Sequence, residues 1–133
     1  MKEQIQVDGL IAASKMAVDN AYAPYSGFKV GAAVLGGSGK VYTGCNVENA
    51  SYGLSICAER AAIYKAVSEG EREIRAVAIS NSSGKVAFPC GACRQVMAEF
   101  APAGDGVTVY LVSDAGVEAH SLSDLLPHAF KLE

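Results

Sequence analysis

The sequence lacks the features of several large protein classes. It has no run of about 18 consecutive apolar residues, which a membrane-spanning helix requires, and its start MKEQIQVDGL carries charges where a secretion signal is apolar. Basic residues are scarce as well: 11 lysines and arginines stand against 14 acidic residues, which gives a formal net charge of −3. Binding to a nucleic-acid backbone needs a basic surface. We therefore expect a cytoplasmic protein that binds neither membranes nor nucleic acids.

Internal repeats and low-complexity segments are also missing. The 133 residues, half of them hydrophobic and 19% charged, suit one globular domain spanning residues 1–133. A chain of this length buries roughly two-thirds of the surface that its unfolded form exposes, so it can build a core without disulfides. In the cytoplasm its four cysteines are therefore expected to be metal ligands or core residues.

The hydrophobic pattern predicts alternating helices and strands. Apolar residues at helical spacing predict a first helix over residues 5–20, and FKVGAAVLGGSGKVYTGCNV predicts an antiparallel hairpin with the turn GGSG. Two buried strands, IRAVAISNS and VTVYLVS, alternate with helices that begin near Cys57 and within PCGAC, and a last short strand is expected near 117–119. Strand–helix–strand alternation gives parallel neighbours. The sequence predicts an α/β fold with a single mixed sheet of about five strands between helices.

Three cysteines fall at the starts of two predicted helices. Cys57 begins one helix, and Cys90 and Cys93 begin the other. Two thiols three residues apart point to one side of a helix start, and the crossover connection brings both helix starts to the same edge of the sheet. Three protein ligands leave a position for water, which is typical of catalytic zinc, whereas structural zinc usually has four. We therefore expect one Zn²⁺ in each chain.

A carboxylate and a guanidinium follow the first of these cysteines. Beside a metal, Glu59 can take a proton from bound water and deliver it elsewhere. Zn²⁺ with three thiolates has a formal charge of −1, and Arg60 can offset this charge together with the two helix N-termini. Taken singly, C-x-x-C also occurs in redox motifs and zinc ribbons, and a charged first turn is usually solvated. The combination favours a catalytic site. Cys45, within a predicted strand, is expected to be a core residue.

The segments around these residues resemble a known family. CAE followed by PCGAC is similar to the signature of the zinc-dependent nucleoside and nucleobase deaminases. FKVGAAVL, GCNVENASYGLSICAERAAI and FPCGACRQVMAEF resemble the short cytidine deaminases over about residues 12–130, and NVENASYG distinguishes them from the polynucleotide and blasticidin deaminases. The resemblance implies a cytidine deaminase-like fold. It also implies hydrolysis of cytidine and 2′-deoxycytidine to the uridine counterparts and ammonia, in pyrimidine salvage.

The resemblance also implies roles for individual residues. The three cysteines hold zinc, and Glu59 passes protons from water to N3 of the ring and then to the leaving amine. Asn46 and Glu48 hydrogen-bond the ribose hydroxyls, Phe28 packs against the pyrimidine, and the backbone of Ala58 reads the polar edge of the base. The residues themselves support one of these roles, because an Asn and a Glu two apart on an extended segment point to the same side.

The short members of the family are homotetramers whose sites include residues of neighbouring subunits. Ala50, Tyr52 and Phe130 match such positions, and the NASYG loop and Phe130 have no evident place in the site of their own chain. Two other functions stay open at this point. One is deamination of a related cytosine nucleoside, such as an antibiotic; the other is a non-enzymatic zinc-binding module, although a purely structural site has no use for Glu59.

Overall fold

The computed structural model describes residues 2–104 and 106–132, in which helices and strands alternate as predicted. The helices are α1 (Lys2–Ala17), α2 (Ala58–Ser68), α3 (Gly91–Glu99) and α4 (Leu122–Leu125). The strands are β1 (Val30–Gly36), β2 (Val41–Cys45), β3 (Ile74–Asn81), β4 (Thr108–Ser113) and β5 (Gly116–Ser121). Short 3₁₀ turns cover Val18–Asn20 and Tyr52–Leu54. None of the helices in this part of the chain is long and apolar enough to cross a membrane.

The five strands form one mixed sheet in the order β2-β1-β3-β4-β5. β3 and β4 are parallel, and the other neighbouring pairs are antiparallel. A parallel pair needs a long connection, and here α3 lies between the two strands in the chain. The predicted fold class, a single mixed sheet between helices, is confirmed.

Alternating residues of the strands bury the two faces of the sheet against different helices. On one face, Ala33, Ala76 and Ala78 pack with Leu10 of α1. The opposite face carries the larger cluster, in which the strands pack against α2 and α3. Gly44 of β2 allows α2 to approach closely, because a Cβ at this position would lie 2.4 Å from the backbone nitrogen of Ala62. This approach places the start of α2 over the end of the β1–β2 hairpin.

Short backbone bridges extend the sheet next to the start of α2. The segment at Val47 pairs in parallel with Tyr22 and antiparallel with Ile56. These bridges bring the segment 22–28, the NVEN segment and the residues before α2 side by side. Cys45, expected in the core, is only half-buried at the end of β2.

Candidate metal centre and active site

Three cysteine sulfurs meet where α2 and α3 begin. Cys57 and Cys90 are the N-cap residues of α2 and α3, and Cys93 lies in the first turn of α3. All three Sγ atoms lie within 4.8 Å of one another, with 3.9 Å between Cys57 and Cys90 and 3.3 Å between Cys90 and Cys93. Thiolates bound tetrahedrally at about 2.3 Å from zinc are about 3.8 Å apart. The cluster therefore has the dimensions of a zinc site.

The surroundings of the cluster favour the thiolate form of Cys57. The pKa of the Cys57 thiol falls to about 5 because Cys93 hydrogen-bonds its sulfur and the Arg60 guanidinium lies beside it. Nη2 of Arg60 donates a hydrogen bond to the Cys57 Sγ over 3.3 Å. The two helix N-termini add partial positive charge at the same place. A metal cation is thus offered one deprotonated sulfur, whereas the hydrogen bond to Cys57 and burial raise the pKa of the Cys93 thiol, so a proton must leave this sulfur when a metal binds.

A second hydrogen-bond donor of Arg60 helps to test whether the sulfur cluster can hold a metal cation. Its Nε–H is buried and has no hydrogen-bond acceptor within residues 2–104 and 106–132. A buried donor without an acceptor is costly, and the negative charge of sulfurs bound to a cation offsets part of that cost. The donor set, its spacing and this guanidinium fit Zn²⁺ held by three thiolates, with one coordination position left open.

Replacing Arg60 with Ala tests the charge compensation. Without the guanidinium, less of the negative charge of the three thiolates is compensated. A water molecule at the open coordination position would then be harder to deprotonate. We expect lower activity at neutral pH, and the rising limb of the pH–rate profile should move up by about one to three pH units. Arg60→Lys, which keeps the charge, should show a smaller shift, and adding Cys57→His to Arg60→Ala should recover part of the activity. An Arg60→Ala profile that overlies the parent's would rule out this role.

Glu59 lies in the first turn of α2, next to the sulfur cluster. The residue is only 5% exposed. Burial raises the pKa of its carboxyl to about 6, and the charge of the neighbouring Cys57 acts in the same direction. A carboxyl with a pKa near neutrality suits a group that must both accept and release a proton.

A pocket of about 400 Å³ opens over the cluster. It brings together most of the residues predicted from the sequence: Phe28, Asn46, Glu48, Tyr52, Cys57, Ala58, Glu59, Arg60 and Cys90. A larger groove of about 570 Å³ lies on the α1 face of the sheet, but it has no cysteine or histidine in its lining. The chemistry therefore belongs to the smaller pocket.

Comparison with known proteins places this site in a family. The family model described as the cytidine and deoxycytidylate deaminase zinc-binding region matches residues 6–109. The chain belongs to this family. Two proteins named cytidine deaminase are similar to it over nearly their whole length. The one from Sporosarcina psychrophila is 48% identical over 97% of this chain and 94% of its own, and the one from Halalkalibacterium halodurans is 50% identical over 93% of both chains.

Solved structures agree with this assignment to the zinc-binding deaminase family. The crystal structure of cytidine deaminase from Burkholderia pseudomallei matches with a TM-score of 0.84 and 48% identity, over 92% of this chain and 98% of that one. The structure of cytidine deaminase from Mycobacterium tuberculosis matches with a TM-score of 0.81 and 42% identity, over 94% and 97% of the two chains. Because the matching family model is a zinc-binding region, zinc is the metal of this site, and the three-cysteine cluster is suited to hold it.

Two residues predicted for the deaminase site lie outside the pocket, and a third, expected to serve a neighbouring subunit, lines the pocket of its own chain. Ala50 and Phe130 do not line the pocket, and Phe130 is 69% exposed, with its carbonyl oxygen accepting a hydrogen bond from Gln95. Tyr52, in contrast, does line the pocket of its own chain, although 81% of it is exposed. Tyr52 thus reaches the pocket of its own chain, and its contribution to the site of a neighbouring subunit stays a prediction.

Asn46 and Glu48 line the deaminase pocket but also hold its wall together. The Oδ1 of Asn46 accepts from the Val30 amide at 2.8 Å, and its Nδ2 donates to the Phe28 carbonyl at 2.8 Å. The carboxylate of Glu48 accepts from the amides of Tyr25 and Ser26. Each side chain keeps part of its hydrogen-bonding capacity for a ligand.

The structure adds pocket residues that the sequence did not indicate. Phe88 lines the pocket directly before PCGAC, and the ring of His120 meets it edge-on with 5.3 Å between ring centroids. An aromatic residue two positions before a metal ligand was the available signal. Ser55, Ile56 and Ala87 also line the pocket, and their small or apolar side chains carried no chemical signal.

Proposed function

We propose that this protein hydrolyses cytidine and 2′-deoxycytidine to uridine and 2′-deoxyuridine with release of ammonia, a reaction of pyrimidine salvage. The observation that carries the proposal is the buried Glu59 beside three clustered thiols at the base of a pocket of nucleoside size. The relatives named cytidine deaminase, at 48% and 50% identity, support the same substrate class.

The residues of the chain account for the steps of this reaction. When bound by the three cysteines, zinc supplies the Lewis acidity that activates water for attack at C4. The Glu59 carboxylate takes one proton of that water and gives it to N3 of the ring. It then takes the second proton, from the hydroxyl added at C4, and passes it to the amine, which leaves as ammonia while the C4 carbonyl forms. The backbone N–H of Ala58, in the first turn of α2, has no partner within its helix and is available to the polar edge of the base.

The charges of the pocket favour a nucleoside over a nucleotide. Among the described residues that line it, Arg60 is the one cation, and its guanidinium is engaged with the Cys57 sulfur. Glu48, proposed at the sugar, places a carboxylate where a phosphate would be repelled. Cytidine is therefore the proposed substrate, and its 5′-monophosphate is disfavoured.

A spectrophotometric assay tests the proposed function. Purified zinc-loaded protein should remove the absorbance band of cytidine and release one ammonia for each nucleoside, and a chelator should abolish both signals. We expect kcat/KM for deoxycytidylate to be at least about 100-fold lower, because an unpaired charge would be placed next to Glu48. Absence of turnover with cytidine, but turnover with a modified cytosine nucleoside, would contradict the proposed substrate and favour the related deaminase.

We also propose that the protein is a homotetramer whose sites are completed by neighbouring subunits. Large apolar side chains are exposed around the pocket: Tyr22, Tyr25, Phe28, Tyr52, Leu54 and Phe88. Exposed aromatic residues of this kind are enriched in protein interfaces. Ala50, Tyr52 and Phe130 are proposed as residues that one subunit contributes to the site of another.

Replacing Tyr52 with Glu tests the assembly. A charge buried at a subunit contact is costly, so we expect smaller species in solution and activity lowered at least about tenfold. Zinc should stay bound, because all three thiols belong to one chain. Sedimentation and activity are measured together over a dilution series, with Tyr52→Phe as the control that keeps the ring. A stable, fully active monomer would refute the shared site and leave the zinc chemistry untouched.

Two further expectations accompany the proposed function. We propose one domain over residues 1–133, supported by a single sheet whose strands run from Val30 to Ser121. We propose the cytoplasm as the compartment, supported by the free thiols of the metal cluster, which need reducing conditions.

A further inference from the structure

The carboxylate of Glu48 is held by a single turn of the chain. Its Oε1 accepts from the Tyr25 amide at 2.9 Å and from the Ser26 amide at 3.1 Å, and its Oε2 accepts from the Ser26 hydroxyl. An ionised carboxylate has about four acceptor positions. Three of them are used within the chain, and the fourth, on Oε2, is left for a ligand in the pocket that Glu48 lines.

The hydroxyl of Ser26 makes a second contact, which reaches another wall of the pocket. It accepts a hydrogen bond from the Phe28 amide at 3.0 Å. The Phe28 carbonyl is held in turn by Nδ2 of Asn46 at 2.8 Å. The Ser26 hydroxyl thus links the Glu48 carboxylate, proposed to bind the sugar, to the backbone of Phe28, proposed to pack against the base. These hydrogen bonds fix the positions of Glu48 and Phe28 relative to each other, and a ligand bound between them contacts both.

Ser26 itself does not line the pocket over the cluster, so it acts through Glu48. We propose that Ser26 is a positioning residue, which fixes the rotation of the Glu48 carboxylate so that the remaining Oε2 acceptor faces a ribose hydroxyl. This inference rests on the proposed function and names a determinant of its sugar specificity. Side chains that bind a substrate need their own rotamers held by a supporting shell, because small misplacements lose the contact.

The hydrogen bond of Ser26 also affects the charge of the carboxylate. It lowers the pKa of Glu48, with smaller contributions in the same direction from the amides of Ser26 and Tyr25. The carboxylate therefore stays ionised and acts as an acceptor. A ribose hydroxyl, which can donate, suits it.

The chain contains a matched control for this contact. Ser38, in the turn between β1 and β2, makes the same three contacts. Its amide donates to Oε1 of Glu71 at 3.3 Å, its hydroxyl donates to Oε2 of Glu71, and that hydroxyl accepts from the Lys40 amide at 3.3 Å. Neither Ser38 nor Glu71 lines the pocket. Ser38→Ala therefore removes an equivalent serine–carboxylate bond with no path to the substrate.

The experiment compares Ser26→Ala, Ser26→Thr and Ser38→Ala in the zinc-loaded protein. KM and kcat for cytidine are measured together with the inhibition constant of 2′,3′-dideoxycytidine, which lacks the 2′- and 3′-hydroxyls of the sugar and keeps the 5′-hydroxyl. For Ser26→Ala we expect KM to rise roughly 10- to 100-fold, the range for a hydrogen bond to a charged group. We expect kcat to change less than about threefold and the inhibition constant less than about twofold. Ser26→Thr should recover most of the affinity, and Ser38→Ala should affect thermal stability alone.

A double substitution locates the effect at Glu48. In a Glu48→Ala background, Ser26→Ala should add little further loss, because the carboxylate through which it acts is gone. Equal weakening of cytidine and dideoxycytidine, or the same rise in KM with Ser38→Ala, would overturn the inference and indicate a merely structural serine. Failure of the parent protein to deaminate cytidine is a different outcome: it overturns the proposed function, and this inference with it.

Discussion

Replacing Glu59 with Gln should lower the turnover of cytidine by roughly 10²–10⁴-fold, the usual contribution of general acid–base catalysis. Gln keeps the size of the side chain and its ability to hydrogen-bond, but it cannot take up a proton and pass it on. Glu59 is not among the proposed zinc ligands, so the zinc content should remain one ion per chain. The measurement combines kcat for cytidine with metal analysis of the same sample.

Glu71→Gln is the control for the loss of a buried carboxylate. Glu71 is 7% exposed, close to the 5% of Glu59, and bonds Tyr42 and Ser38 away from the pocket. We expect this variant to lose stability and to keep kcat. A Glu59→Gln protein with near-parental turnover and full zinc content would show that another group transfers the proton.

Replacing Cys90 with Ser should remove both zinc and activity. Ser is a favoured N-cap residue, so the start of α3 is retained while one thiolate is lost. Residues that only support a metal ligand contribute about 10–100-fold to affinity, and we expect the loss of a ligand itself to exceed about 100-fold. Zinc retained after equilibration against a competing chelator is measured together with kcat.

Cys45→Ser is the matched control for this substitution. Cys45 is half-buried at the end of β2 and does not belong to the sulfur cluster. The variant should keep zinc and activity. If Cys90→Ser bound zinc as tightly as the parent, Cys90 would not be a ligand. The proposed coordination by three thiolates with one open position would then be wrong.

The sequence predicted the sheet and the sulfur cluster because both depend on local patterns. Runs of β-branched residues define β3 and β4. The cysteines at the starts of α2 and α3 can meet because the crossover connection places both helix starts at the same edge of the sheet. The sequence did not indicate Phe88 as a pocket residue, because its position depends on how the chain before α3 meets the sheet. Cys45 was expected in the core because it lies in a strand. It is, however, the last residue of β2, which is an edge strand of the sheet, and it is only half-buried.

The contacts of Asn46 and Glu48 show a second limit of the sequence. Their spacing predicted two polar side chains on one side of an extended segment, and both residues line the pocket. It carried no information on which segment would lie opposite, because the bridge between Tyr22 and Val47 joins parts of the chain that are distant in sequence. The hydrogen bonds of Glu48 to the turn at Ser26 follow from that bridge.

The three thiols lie at the starts of two different helices, and this has a consequence for how metal binding is coupled to folding. Cys90 and Cys93 are near neighbours and can capture a metal ion in an unfolded chain, whereas Cys57 is 33 positions away from Cys90. In the folded chain the three sulfurs meet because α2 and α3 begin side by side, so the native coordination depends on the docking of these two helices. Zinc then acts as a cross-link that closes a long loop and disfavours its reopening. Removing the metal should therefore loosen the contact between α2 and α3 first, and amide hydrogen exchange at their first turns should accelerate before exchange in the central strands does.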